Sequence, residues 1–263
     1  MIILRKKGQL MLVNIESIFK EREERPLFFV ETGSRLWGMV SPDSDYDVRG
    51  IHLQSKSQYF DFKRHRDIIE IMDGDLDFVS YDIDKMFTLL SKSNPNVFEW
   101  IRSHLIYFNE LPNWVELQQN IIANFNFKAL YHHYLSLVKG ILDLMVADKK
   151  FTYKSTFYCI RGLLSSDLAA RKTIPELIID DLFDQFEYEN DIIKIAKASL
   201  EKKKEKSEKE EVETNEKKLI LTSVKNYIIK LENKIPESSN KREKLVKILR
   251  DYSYNIKLEY YSN

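Results

Sequence analysis

The sequence predicts an α+β chain, with a small β-sheet in the N-terminal third and a mostly helical second half. Three observations carry this expectation. Short apolar or alternating runs bounded by turn residues, the pattern of strands, all fall before residue 82. Beyond Tyr81 the apolar residues recur at helical spacing, and no stretch reads as a strand. Glycine is scarce, 7 in 263 residues, and four of the seven (Gly33, Gly38, Gly50, Gly74) lie in one window, where the backbone must turn sharply or be approached closely.

The elements follow in order. Residues 14–20 form a short capped helix with Ile15, Ile18 and Phe19 on one face, and Pro26 lies beyond its end. Residues 27–31 are a buried strand that stops at the turn Thr32-Gly33-Ser34. A helix begins within 35–40, and Ser41-Pro42-Asp43-Ser44 is a loop. Residues 45–53 alternate as a second strand; 68–71 and 76–80 are two more, joined through the tight-turn signal Asp73-Gly74. A helix covers 82–90, Asn94-Pro95-Asn96 opens another, and helical segments follow at about 127–147, 154–170 and 176–199. Residues 200–218, with seven Lys, seven Glu and no apolar stripe, read as a solvated helix or a linker. Helical spacing returns at 219–231, and 241–258 is a basic helix with Leu245, Ile248, Tyr252 and Ile256 on one side.

Composition narrows the class. Lys+Arg 41 balances Asp+Glu 41, which argues against bulk attraction to nucleic acid or acidic membranes while leaving room for a local basic groove. The longest uncharged run, 117–127, is too short to cross a bilayer. The basic residues of the N-terminus follow its apolar ones, the reverse of a secretory signal, so a cytoplasmic protein with no membrane partner is expected. The single cysteine, Cys159, excludes an internal disulfide and any multi-cysteine zinc site, and it reads as buried. His52, His65, His104, His132 and His133 show no ligand spacing; Trp37 and Trp100 read as packing residues.

One constellation points to chemistry. Gly33 and Gly38 have the spacing of a phosphate loop, but Met39-Val40 stand where Lys-Ser/Thr is needed, and no dinucleotide, zinc-protease or nucleophile-elbow motif occurs. Instead a strand ends at Gly33-Ser34, whose amides can receive an anion, and Asp45-Tyr46-Asp47 follows on the next strand. Strand alternation puts Asp45 and Asp47 on one face, roughly 6.5–7 Å apart at Cα. Two such carboxylates repel unless a positive charge lies between them, which a hard divalent cation, Mg²⁺ or Mn²⁺, would supply. A third carboxylate fits at Asp77, with Asp75 of the same parity as the fallback. In a two-metal arrangement the ions sit about 3.5–4 Å apart and clamp the attacking and leaving oxygens. Arg35 and Arg49 read equally well as ion-pair partners. Lys154, Tyr158 and Arg161 fall on one helix face, either a solvated basic face or a phosphate clamp.

Gly33-Ser34, then Ser44-Asp45-Tyr46-Asp47-Val48-Arg49-Gly50, then Leu76-Asp77-Phe78 resembles the DNA polymerase β-like nucleotidyltransferase superfamily. The runs from Glu31 to Gly38, from Ser41 to Arg49 and from Lys92 to Trp100, with the Lys154, Tyr158, Arg161 helix, are similar to its YcgL-type bacterial and phage branch. The chain departs from that branch at Ala170-Arg171-Lys172, where a Trp is common. The resemblance implies a small mixed sheet with helices and a division into a nucleotidyltransferase core, 1–110, and a helical domain, 111–263. It also implies an NTP donor, two Mg²⁺ (or Mn²⁺) ions on Asp45, Asp47 and Asp77, and nucleotidyl transfer with release of pyrophosphate. Gly33, Ser34, Arg35, Lys154, Tyr158 and Arg161 would then bind the nucleotide. The resemblance fixes neither the oligomeric state nor the acceptor, which can be RNA, protein or a small molecule. The alternative is a nucleotidyltransferase-fold antitoxin or regulatory module acting on a protein partner. The balanced charge shows no sign of the continuous basic channel that a template-directed polymerase wants, but the basic stretch 241–258 could touch a nucleic-acid acceptor such as tRNA.

Overall fold

Leu27, Phe28, Phe29 and Val30 are all fully buried. A strand with no polar alternation must be covered on both faces, so β3 (Arg25–Glu31) lies inside its sheet. The computed structural model describes residues 2–6, 9–13, 15–40, 44–147, 149, 151–187, 191–205, 211–239 and 241–262, with 2–6, 9–13 and 203–205 as backbone alone. The loop expected at 41–43, the cap at Asn14 and part of the charged segment, 206–210, lie outside the described residues.

The sheet has the order β5-β6-β4-β3-β7, built from β3, β4 (Tyr46–Leu53), β5 (Ile68–Asp73), β6 (Leu76–Asp82) and β7 (Ile106–Asn109). Only β4 and β6 are parallel; the other pairs are antiparallel, which makes the sheet mixed. α1 (Ile15–Phe19) covers one face, where Phe19, Phe29 and Phe78 pack ring on ring with centroids 5.2–6.4 Å apart beside Val48 and Leu76. Elsewhere Phe28 meets Trp114 at 4.2 Å and Tyr81 meets Trp100 at 4.7 Å. Gly50 is required by packing: a Cβ there would come within 2.2 Å of the Phe29 ring and 2.3 Å of the Phe28 carbonyl oxygen.

Several expectations need correction. A strand does occur after residue 81: β7 pairs with β3, and its four half-buried or exposed residues are too few to show a period. A second two-stranded sheet, β1 (Ile2–Lys6) with β2 (Gln9–Val13), was not anticipated. The helix expected from Arg35 is the single turn α2 (Gly33–Leu36), and Gly38 follows it in the left-handed region (φ +74°). The segment 176–199 is two helices, α9 (Ile179–Asp184) and α10 (Asp191–Glu205), because the acidic stretch 184–191, with Asp184, Glu187, Glu189 and Asp191, interrupts the apolar stripe. The charged segment 200–218 is partly anchored: Val212 is buried and donates its N–H to the Phe151 carbonyl at 2.9 Å, while Lys202 pairs with Glu216 at 2.8 Å.

Packing cuts the chain differently from a division at residue 110. One compact unit comprises Met1–Leu36, Asp45–Phe125 and Asn240–Asn263; the other comprises Trp37–Ser44 and Asn126–Ser239. In the first, α3 (Lys56–Phe60), α4 (Ile83–Ser91), α5 (Pro95–Arg102) and α6 (Trp114–Asn124) accompany the sheet, and α12 (Arg242–Ser262) returns to pack on α4 and α6. Its buried stripe is Leu245, Leu249, Ser253 and Ile256. In the second, α8 (Tyr153–Ala170) is buried at every residue from Cys159 to Ala169 and packs against α7 (Phe127–Val146), α10 and α11 (Thr214–Glu232). No helix among the described residues is long and apolar enough to cross a membrane.

His52 on β4 is a core histidine. It is fully buried, its Nδ1 lies 2.8 Å from the Ser80 hydroxyl, and burial pushes its pKa down to about 4. Unfolding returns the imidazole to about 6.5, so between those values the unfolded chain binds a proton that the folded chain does not. The stability contributed by neutral His52 is therefore complete above about pH 6.5 and is lost as pH falls toward 4, by up to about 3 kcal/mol. Urea denaturation across this range should show the wild-type advantage over His52→Gln shrinking as pH falls. Parallel profiles would contradict the assignment.

Candidate active site

Asp47, the second residue of β4, is held through its own backbone. Its N–H donates to Glu31 Oε1 at 2.8 Å, and its carbonyl accepts both the Thr32 N–H and the Thr32 hydroxyl at 2.9 Å. Its carboxylate lies against Gly33. That residue has φ +61°, and a Cβ built on it would fall 2.0 Å from Asp47 Oδ2. Glycine is thus needed twice over, for the left-handed backbone and for the space.

The parallel register places Asp47 opposite Asp77. Adjacent strands lie about 4.8 Å apart, so the two carboxylates share one sheet face. The flanking Val48, Leu76 and Phe78 are buried in the core on the other face. Arg49, two residues along from Asp47, bridges the pair: Nη2 is 3.2 Å from Asp47 Oδ1 and 2.7 Å from Asp77 Oδ2, and Nη1 is 3.1 Å from Asp77 Oδ1. Nη1 also donates to the carbonyls of Asp77 (2.6 Å) and Val48 (3.0 Å). The guanidinium is the positive charge that two neighbouring carboxylates require.

Asp45 sits one residue before β4 and is exposed. Arg35 holds this entry to the strand, with Nε donating to the Asp45 carbonyl at 3.0 Å and the guanidinium stacked 3.6 Å from the Tyr46 ring centroid. Ser34 is buried within α2. Gly33, Ser34, Arg35, Asp45, Asp47 and Asp77 thus gather at one end of β3, β4 and β6. Lys154, Tyr158 and Arg161 share a face of α8 in the other unit, around Trp37. Trp37 lies 5.4 Å from the Tyr158 ring and 3.9 Å from the Arg161 guanidinium, and Lys154 Nζ is 5.8 Å from the Tyr158 ring. Arg161 is buried there, so Lys154 is the more accessible of the two cations.

Two supporting residues escape sequence reasoning. Glu31 is fully buried at the end of β3, where it accepts the Asp47 N–H and a short hydrogen bond from the Tyr107 hydroxyl on β7. Burial raises its pKa, opposed by the Tyr107 hydrogen bond and the Asp47 amide. A charged residue closing an otherwise apolar strand is the one signal that could have marked it. Tyr107 lies on the strand the pattern did not show.

Among the described residues, no three of His, Cys, Asp or Glu gather closely enough to hold an ion by themselves. The converging pair Asp47–Asp77 nevertheless fits a hard divalent cation, since Mg²⁺ takes one or two protein carboxylates and completes its shell with phosphate and water oxygens.

Residues 8–252 match the RNA repair pathway DNA polymerase beta family, RlaP. The chain is also 30% identical over 180 residues to a Bacillus subtilis protein described as "Uncharacterized protein YcgL", covering 68% of this chain and 69% of that protein. It is 30% identical over 143 residues to "Uncharacterized protein MJ0002" of Methanocaldococcus jannaschii, covering 53% and 58% of the two chains. A solved structure of a nucleotidyltransferase-like protein from Exiguobacterium sibiricum covers 93% of this chain and 77% of that one at 12% identity and a TM-score of 0.32, too distant to add weight. The chain belongs to the RNA repair pathway DNA polymerase beta family, within the superfamily that its Gly-Ser and Asp-x-Asp motifs resemble.

A double-mutant cycle tests the Gly33–Asp47 contact. Gly33→Ala should destabilise through both the backbone and the clash, and Asp47→Ala should relieve the clash. The pair is then expected to be more stable than the sum of the single effects by about 1–2 kcal/mol in urea denaturation. Additivity within about 0.5 kcal/mol would show that the carboxylate does not press on Gly33.

Proposed function

We propose that this protein is a metal-dependent nucleotidyltransferase that moves a nucleoside monophosphate from an NTP to a hydroxyl at an RNA end. The observation that carries the reading is the side-by-side placement of Asp47 and Asp77, with Asp47 fixed by Glu31, Thr32 and Gly33. The RNA acceptor is drawn from the family's description as part of an RNA repair pathway.

The balance of the reaction is simple. The acceptor oxygen forms a bond to the α-phosphorus and loses its proton, the bond from that phosphorus to the bridging oxygen breaks, and pyrophosphate leaves with the electron pair. Asp47 and Asp77, with Asp45 at the strand entry, would hold Mg²⁺ or Mn²⁺, in two ions as the family resemblance implies. The cations supply neutralisation of the triphosphate charge and a lowered pKa for the acceptor hydroxyl. This chain's own residues position the donor and the charge; no protein nucleophile is required. The Gly33-Ser34 turn presents backbone amides to phosphate oxygens, and Arg35 braces the turn through Asp45 and Tyr46.

Incubation with each α-labelled NTP, Mg²⁺ or Mn²⁺, and short RNAs bearing free ends should transfer label to RNA. Asp47→Ala and Asp77→Ala should each lower the rate at least about 100-fold. Label transferred to a protein instead would replace the RNA acceptor by a protein partner, as the antitoxin alternative requires. No transfer, or transfer indifferent to both substitutions, would overturn the reading.

A further inference from the structure

The basic helix α12 is not used by the site described above, yet it forms one wall of a groove in its unit. The groove, about 670 Å³, lies between α12, α3 and α4. Its floor is aromatic. Tyr59 lies 5.2 Å from Phe60 and 5.3 Å from Tyr261, and Phe60 lies 5.9 Å from Tyr261, so three rings from two distant parts of the chain form one cluster, a platform in which Phe60 stands edge-on to the two tyrosines. The platform is pinned at its edges. Lys56 Nζ donates to the Tyr261 carbonyl at 2.7 Å, and the Tyr261 hydroxyl donates to the Gln54 carbonyl at 2.8 Å. Lys257 lies 4.3 Å from the Tyr59 ring centroid.

The platform is also open. Phe60 is 69% exposed, and Tyr254, further along α12 and also lining the groove, is 64% exposed. Large rings left in water carry a cost that burial against a partner removes. Charge identifies the partner. Among the described residues, Lys56, Arg250 and Lys257 line the groove with a single carboxylate, Asp84, which is paired to Lys257, leaving an excess of positive charge there. Just beyond α3 the exposed Phe62 is followed by the exposed Lys63, Arg64 and Arg66, the last of them paired with Glu70.

We infer that this groove binds an unpaired stretch of RNA, its bases stacking on Phe60 and Tyr261 and its phosphates meeting Lys56 and Arg250. Rings accept any base through its π-face, and cations track the backbone, which is how single strands are held without sequence preference. An acidic peptide would satisfy the cations but would leave the exposed rings without flat partners. The preference for RNA over DNA rests on the proposed function; the stacking groove itself rests on the rings and cations.

The test is fluorescence anisotropy of a short fluorescein-labelled oligoadenylate with the full chain, without NTP or divalent metal, so that failure of the transfer reaction leaves the result unaffected. Phe60→Ala with Tyr261→Ala, which together remove two stacks, should weaken binding by at least about 30-fold. Lys56→Gln with Arg250→Gln should lower the slope of log K against log salt by about 1.4. Unchanged far-ultraviolet circular dichroism and melting temperature serve as the folding check. Loss of binding with structure intact supports the inference. Absence of oligoadenylate binding by the wild type, unchanged binding in the aromatic pair, or stronger binding of polyglutamate than of oligoadenylate would overturn it. An oligodeoxyadenylate that binds equally well would contradict the RNA preference alone and leave the stacking groove standing.

Discussion

The site depends on one contact, the packing of the Gly33 backbone against the Asp47 carboxylate. Any side chain at Gly33 would occupy the space of Oδ2, and the turn there runs through a left-handed conformation that glycine adopts without strain. The same turn sends Thr32 back to the Asp47 carbonyl, while Glu31, one residue earlier, takes the Asp47 amide. Three consecutive residues at the end of β3 therefore fix one residue at the start of β4. The parallel pairing of β4 with β6 then brings Asp77 alongside without further adjustment.

Electrostatics follow from that geometry. Two carboxylates on one sheet face need a compensating charge, and Arg49 provides it from within β4. Its Nη1 and Nη2 make five hydrogen bonds, to both side chains and two backbone carbonyls, so it also ties β4 to β6. A divalent cation entering the pair would share these oxygens with Arg49 or displace it. The protein thus carries its own counter-charge at the place where the proposed reaction needs one. Beneath, the buried Glu31 accepts from Tyr107, which links the geometry of Asp47 to the edge strand β7.

Much of this was legible in the sequence. The buried strand Leu27–Val30, the Asp73-Gly74 turn, the Asn94 cap and the parity that sets Asp77 apart from Leu76 and Phe78 are local patterns, and local patterns survive folding. The motif Gly-Ser with Asp-x-Asp marked the end of β3 and the start of β4, where Gly33 packs against Asp47. What the sequence could not show was non-local. β7 is a strand only because β3 offers it an edge, α12 belongs with the sheet only through packing on α4 and α6, and Glu31 acquires a role only when Asp47 and Tyr107 converge on it. The aromatic platform joins residues 59–60 to 261, a separation no periodicity reveals.

The central claim is that Asp47 and Asp77 act together in holding divalent cations, as the β4–β6 register sets them side by side. Titration of Mn²⁺ followed by electron paramagnetic resonance, in the presence of a non-hydrolysable NTP analogue, addresses it directly. The account predicts bound Mn²⁺ in the wild type and at least about tenfold weaker binding when either Asp47→Asn or Asp77→Asn is introduced, a loss of about 1.4 kcal/mol. Equal binding by the wild type and both variants would contradict it.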